Sequence, residues 1–336
     1  MSDAVLQVRH LTLKLKIEGR VHRVIDDISF DLKKSQTLAL VGESGCGKTM
    51  TALALMRILP EPPALPPEGE VLYQGQNLLT LSAAQMRTIR GKKIAMIFQD
   101  PISALNPVYT IGAQLLEVAW THLQLDGTEA KSVVLKALED VQLPNPHDVF
   151  HLYPHQLSGG MLQRAMIAMA LICSPEILIA DEPTTALDVT IQMQILQLLR
   201  ELQEKKGMTT LLITHDMNVV AQNADEVIVM YAGDHIEQGS TTALFDYPAH
   251  PYTQALFASR PGAARKTKLA TIKGFVPRIT QLPEGCLFHP RCRYAMQMCK
   301  TGKVPLMHLK DKGHSAKCWL YDKELEIKLA EHDETT

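Results

Sequence analysis

Neither sign of charge prevails in this chain: 34 Lys and Arg stand against 36 Asp and Glu over 336 residues, a net charge of −2. Without a basic excess the chain carries no overall electrostatic footprint for a polyanion, and no nucleic-acid partner is expected. The opening MSDAVLQVRHLTLKLK lacks an apolar h-region followed by a cleavage site, so no signal peptide is read and the protein is expected to stay inside the cell. A membrane-spanning helix needs about 20 apolar residues. The most apolar stretch, residues 161–181, is broken by Gln163, Arg164, Pro175 and Glu176, so any membrane role is expected through partners. Internal repeats and low-complexity tracts are also missing.

What is present alternates in a regular way. The runs TLALVG (37–42), KIAMIFQ (93–99), EILIAD (176–181) and TTLLITHD (209–216) are short and apolar, as strands buried on both faces are. Segments with helical spacing lie between them, among them residues 51–59, 128–141 and 190–205. Alternating strand and helix predicts an α/β fold around a mostly parallel sheet. EPPALPPEG (61–69) and LPNPHD (143–148) read as surface loops. The strong strand pattern stops near Arg260, which predicts one domain over residues 1–260, with a helical region at about 100–160, and a small second domain over 261–336.

The first chemistry-bearing motif is GESGCGKT (42–49), placed between a strand and a helix. Gly42, Gly47, Lys48 and Thr49 fit the phosphate-loop pattern in the strand-to-helix context that it requires. Glycines let the backbone turn sharply and approach a polyphosphate, while loop amides and the helix N-terminus supply positive potential. Lys48 adds a point charge at the β and γ phosphates, and the Thr49 hydroxyl can ligate Mg²⁺. The ATP-binding set is thus Gly42, Glu43, Ser44, Gly45, Cys46, Gly47, Lys48, Thr49 and Met50. Cys46 reads as a tolerated spacer in the loop; because a thiol near a helix N-terminus can have a lowered pKa, alkylation there is also expected to inhibit nucleotide binding.

A second motif, ILIADEP (177–183), is an apolar strand ending in two adjacent carboxylates. Successive strand side chains point to opposite sides, so the acids can take different tasks. Asp181 is assigned to Mg²⁺ through water, and Glu182 to the attacking water as general base. The octad LSGGMLQR (157–164) makes a further anion site: Ser158 can cap a helix whose first amides Gly159 and Gly160 expose.

With this octad in place the chain resembles the ATP-binding subunits of ABC transporters, which have a P-loop core and a helical subdomain. The resemblance implies head-to-tail pairing, with each ATP held between one subunit's phosphate loop and its partner's Ser158, Gly159, Gly160 and Gln163. It also implies that Gln99 in IFQDP senses Mg²⁺ or water beside the membrane-subunit contact. Asp188 in TTALD would cross the dimer interface, and His215 in LLITHD would act at the γ-phosphate. One position departs from the family: Leu15 falls where an aromatic ring commonly stacks on adenine, with Val24 or His22 as substitutes. Weak discrimination between ATP and GTP is expected.

Four late cysteines, Cys286, Cys292, Cys299 and Cys318, lie within GCLFHPRCRYAMQMC and HSAKCW. Disulfides do not suit a cytosolic chain. The four thiols suit either tetrahedral zinc or an iron–sulfur cluster, with His289 and His314 as replacement ligands. Cys173, in an apolar run, reads as core. The segments AHPYTQALFASRP (249–261) and GCLFHPRC resemble the peptide-importing branch of the family, some members of which carry [4Fe-4S] on matching cysteines.

The resemblance therefore implies an ATPase that powers uptake of di- or oligopeptides, with nickel or another small solute as the alternative. Its expected partners are two transmembrane permease subunits, a second ABC ATPase, expected to be a sister chain, and an extracytoplasmic substrate-binding protein. Its expected place is the cytoplasmic face of the membrane. A soluble ABC ATPase acting on DNA or ribosomes is the contrasting class; one cassette and C-terminal cysteines speak against it.

Overall fold

The computed structural model describes residues 3–185, 187–258, 272–309 and 313–322. Its strands are β1 (Ala4–Ile17), β2 (Arg20–Lys33), β3 (Thr37–Val41), β4 (Glu68–Tyr73), β5 (Gln76–Asn77), β6 (Ile94–Ile97), β7 (Ile177–Asp181), β8 (Thr209–Thr214), β9 (Glu226–Tyr231), β10 (Asp234–Ser240), β11 (Met307–His308) and β12 (Ser315–Ala316). The helices are α1 (Lys48–Met56), α2 (Ala83–Ile89), α3 (Pro101–Ala104), α4 (Ile111–Val118), α5 (Gly127–Asp140), α6 (Pro146–Val149), α7 (Gly159–Leu171), α8 (Val189–Lys206), α9 (Met217–Asn223), α10 (Thr241–Asp246) and α11 (Pro251–Ala258). The described residues form two compact units, one from segments 1–6, 31–37 and 72–213, the other from 7–30, 38–71 and 214–336.

In the first unit β6, β7 and β8 run parallel, with Ile177 paired to Ile94 on one side and Thr209 on the other. Every residue of the three strands is buried, which is why they read as unbroken apolar runs rather than alternating ones. The helices present one apolar stripe each. On α5 it is Ala130, Val134 and Leu138 at intervals of one turn, and on α8 it includes Ile195, Leu198, Leu199 and Leu202. Each buried Val, Leu or Ile contributes about 1.5–3 kcal/mol. α8 stops at Gly207, whose φ of 62° closes the helix behind Lys205 and Lys206.

The second unit opens with the β1–β2 hairpin, turned by Glu18 and Gly19 at φ 49° and 78°, the mirror-image turn that suits strand twist. β3 pairs parallel with β9, and β10 returns antiparallel beside β9. β12 then pairs with β10 through Glu237 and Ala316, and β11 with β12.

This pairing corrects the expectation of a separate small domain from residue 261. The described C-terminal residues extend an existing sheet edge. Between 272 and 322 the buried apolar side chains are Phe288, Cys299, Val304 and Ala316, too few for an independent core. Phe288 instead joins Tyr231 and Tyr252, with ring centroids 5.3 and 5.4 Å away. Residues 261–271, 310–312 and 323–336 of that expected domain lie outside the described residues.

Candidate functional site: the phosphate loop, the acidic strand end and the thiol cavity

β3 delivers the chain into the phosphate loop at Gly42. A Cβ there would lie 2.3 Å from the Met230 carbonyl oxygen, and one at Gly47, whose φ is 107°, would lie 2.6 Å from Ile25 Cδ1. Close backbone packing calls for glycine at Gly42, and the left-handed φ calls for it at Gly47. Lys48 opens α1 and is buried, with Nζ donating to the carbonyls of Gly42 (2.9 Å) and Glu43 (3.2 Å). The ammonium is thus folded back beneath the loop, while Ser44 and Gly45 are exposed on its rim and Thr49 and Met50 are half-buried behind it. Cys46 is fully buried, and burial pushes its thiol pKa up despite the neighbouring Lys48. That corrects the expectation of a reactive Cys46: the desolvation of the thiolate outweighs the helix terminus.

Two residues outside the phosphate-loop motif, both within the C-terminal segments AHPYTQALFASRP and GCLFHPRC, hold the loop. The Tyr252 hydroxyl, on α11, accepts the Glu43 backbone N–H at 2.8 Å. Arg291 grips the Glu43 carboxylate with both terminal nitrogens, at 2.7 and 3.1 Å. The phosphate-loop pattern leaves this second position unspecified, so sequence alone offered no signal for either contact.

In the first unit β7 ends on buried Asp181, and Glu182 turns the chain into the left-handed region at φ 45°. Such a conformation costs about 1–3 kcal/mol for a non-glycine residue and persists only where its surroundings hold it. Here Glu182 N–H donates to Ile213 O at 2.9 Å, and its carboxylate accepts from Thr185 Oγ1 at 2.8 Å and Gln99 Nε2 at 3.2 Å. Gln99 and Glu182, 83 residues apart in sequence, therefore meet as a pair. Asp181 is buried and Glu182 half-buried, and the left-handed turn at Glu182, beyond the strand end, rather than strand alternation, separates them.

Ser158 caps α7 by accepting the Met161 N–H at 3.4 Å, and Asp188 caps α8 by accepting from Ile191 at 3.0 Å. Gly160 faces Ile191, where a Cβ would come within 3.0 Å of its Cγ2. Ser158, Gly159 and Asp188 are exposed, and beside them Val189 and Met193 are 73% and 62% exposed. Gln163 differs from its assignment to the same face. It lies on the inward side of α7, 2% exposed, with no hydrogen-bond partner for Nε2 among the described residues. His215, in the second unit, is exposed just beyond β8, where Asp216 caps α9 by accepting the Asn218 N–H at 2.8 Å. Leu15 forms an isolated bridge with Ala64.

Cys286, Cys292, Cys299 and Cys318 line one cavity of about 20 Å³, with His289, Trp319 and Tyr294 among its walls. Burial pushes Cys286 up to about 11 and Cys318 to about 12, each further raised by neighbouring thiols. Four thiols thus share one small cavity, but their arrangement does not support the expected iron–sulfur centre. Among the described residues, no three His, Cys, Asp or Glu side chains stand as a site for a single metal ion. His314 is drawn away from the thiols, buried with Nε2 2.8 Å from Glu237 Oε1, so it does not serve as a replacement ligand here. Cys173 packs half-buried against the first unit's core.

Comparison with known proteins agrees with this arrangement. The ABC transporter family matches residues 25–185, and the family described as oligopeptide/dipeptide transporter, C-terminal region, matches 236–299. The chain is 48% identical to the "Probable peptide ABC transporter ATP-binding protein y4tR" of Sinorhizobium fredii, over 95% of each chain. It is 45% identical to the dipeptide transport ATP-binding protein DppD of Bacillus subtilis, covering 96% of this chain and 97% of that one. A dimeric ATP-binding cassette solved in a post-hydrolysis state with ADP and Pi superposes with a TM-score of 0.62 at 28% identity, covering 70% of this chain and 98% of the other.

Proposed function

The chain belongs to the ABC transporter family, with its oligopeptide/dipeptide transporter C-terminal region, and we propose that it is the ATP-hydrolysing subunit of a membrane importer for di- or oligopeptides. The observation that carries the ATPase reading is the phosphate loop, where buried Lys48 donates to the loop carbonyls and Gly42 packs against the Met230 backbone. Peptide as the cargo is supported by the match over 236–299 and by the relatives' names.

Loop amides and Lys48 would bind the triphosphate; Thr49 in the second unit, and Gln99 and Asp181 in the first, are each proposed as an oxygen donor for Mg²⁺, which would neutralise charge on the phosphates. Glu182 accepts the proton of the attacking water, with Gln99 and Thr185 holding its carboxylate. His215 contacts the γ-phosphate. The exposed cap of α7, with Asp188 and the apolar Val189 and Met193 beside it, is the face offered to a second ATPase, whose nucleotide it closes.

No helix among the described residues is long and apolar enough to cross a membrane. Attachment is therefore assigned to two permease subunits, with a substrate-binding protein delivering peptide from outside. Phe98, Ile102, Val108 and Tyr109, between 39% and 71% exposed around Gln99, suit such a docking surface. The four thiols are still proposed as ligands of an iron–sulfur cluster, a reading supported by their clustering in the sequence and not by a formed metal site. Iron and acid-labile sulfide in an anaerobic preparation test it, and zinc in their place would overturn it. The test of the whole function is ATP-dependent uptake of a labelled dipeptide into vesicles carrying the assembled complex. Uptake of nickel without peptide, or co-purification with ribosomes or DNA and no permease, would overturn it.

A further inference from the structure

Glu43 sets a carboxylate in a loop built to collect the negative charge of a triphosphate, where an unpaired anion would oppose the ligand. Arg291 cancels it through two parallel hydrogen bonds, and the guanidinium is buried at 6% exposure against 25% for the carboxylate. Its other N–H groups are also committed. Nε donates to Lys273 O at 2.9 Å, the terminal nitrogens reach Ile272 O, Gly274 O and the Tyr231 hydroxyl at 3.3–3.4 Å, and the group lies over the rings of Tyr231 and Phe288. A guanidinium so restrained has one position.

That position belongs to the turn bearing the thiols. Arg291 N–H donates to Phe288 O, and Cys292 N–H to His289 O, inside a short helical turn whose first residue follows Cys286 by three. The backbone that aims Cys286 and Cys292 at their cavity is the same backbone that aims Arg291 at the phosphate loop.

We propose that Arg291 is a positioning residue for the nucleotide site, neutralising Glu43 and tying the conformation of the thiol-bearing turn to the affinity of the phosphate loop for ATP. The proposal rests on the reading of that loop as an ATP site. It does not depend on what the thiols hold. Coupling of this kind is reciprocal, so ATP at the loop must in turn steady the turn at 286–292.

The experiment uses the full chain and Mg²⁺ with a non-hydrolysable ATP analogue, titrated by calorimetry. Absence of binding to the wild-type chain would overturn the ATP-site reading, and this inference with it. Given binding, Arg291→Met is expected to weaken it about tenfold, and Arg291→Lys, which keeps the charge but loses the fork, by less. In the assembled complex KM for ATP rises while kcat changes by less than about twofold, as loss of uniform binding requires. Adding Glu43→Gln to Arg291→Met removes the stranded carboxylate and recovers most of the loss. Hydrogen exchange at 286–292 slows on adding the analogue to wild type and not to Arg291→Lys, whose thermal midpoint reports on folding. Unchanged affinity in both Arg291 variants, a double variant no better than Arg291→Met, or identical exchange with and without nucleotide would each overturn the proposal.

Discussion

The phosphate loop and the α7 cap both sit at a helix N-terminus, yet the polar groups of one are partnered within its own unit and those of the other stay exposed. Lys48 spends its donors on loop carbonyls, and Glu43 is held through both backbone and side chain. Ser158 and Gly159 stay exposed, with apolar Val189 and Met193 beside them. In the proposed function the partnered loop grips the phosphates of its own chain's nucleotide, whereas the open cap acts only when another subunit supplies the ligand.

The sharpest way to break that contrast is at the acid that belongs to neither. Glu182→Gln keeps the side chain's shape and removes its basicity, so turnover by the assembled complex is expected to fall by about 10²–10⁴-fold while the analogue still binds. Retained turnover would move the base elsewhere. Gly159→Asp is the next test. A carboxylate at the α7 terminus is expected to lower turnover of the complex by about 10²-fold, the loss seen on removing one oxyanion donor. Analogue binding to the single chain, closed within its own loop, should stay within about twofold; a parallel loss there would erase the distinction between partnered and open sites.

Stability tests the same contrast. Phe288→Ala empties the ring cluster that seats Arg291 and is expected to lower unfolding free energy by about 3–5 kcal/mol, read from a denaturant midpoint. The pH dependence has a definite sign. His235 and His250 are buried, and burial lowers them to about 3 and about 4, below the ordinary value near 6.5. The unfolded chain therefore binds more protons in this window, so their contribution is full above about pH 6.5 and declines as pH falls toward 4. The loss is at most about 1.4 kcal/mol per pH unit for each. Both residues lie in the second unit, so exchange at pH 5.5 should show β10 and α11 opening before β7 and β8.

The buried strands were legible because they carry apolar runs without polar alternation, and α5 and α8 because their stripes repeat each turn. The phosphate loop, Asp181, Glu182 and the α7 cap were legible because each needs particular residue types at fixed local spacing. Gln163 was not. Ser158 and Gly159 of the octad are exposed, and only the helix phase shows that position 163, like Leu162, turns inward. Cys46 misled for a related reason, since burial, invisible in a local pattern, outweighs the helix terminus.

By itself the sequence determined the local devices: where the chain must turn on glycine, which lysine meets phosphate, which strand ends in acids, and that four thiols lie within one stretch. Tertiary structure alone decided that the C-terminal residues continue an existing sheet, that Gln99 reaches Glu182, and that Arg291 reaches Glu43 across 248 positions. Local motifs are set by φ and ψ and by neighbouring side chains, which a short stretch of sequence encodes. Contacts between distant segments depend on register and packing, which no short stretch contains.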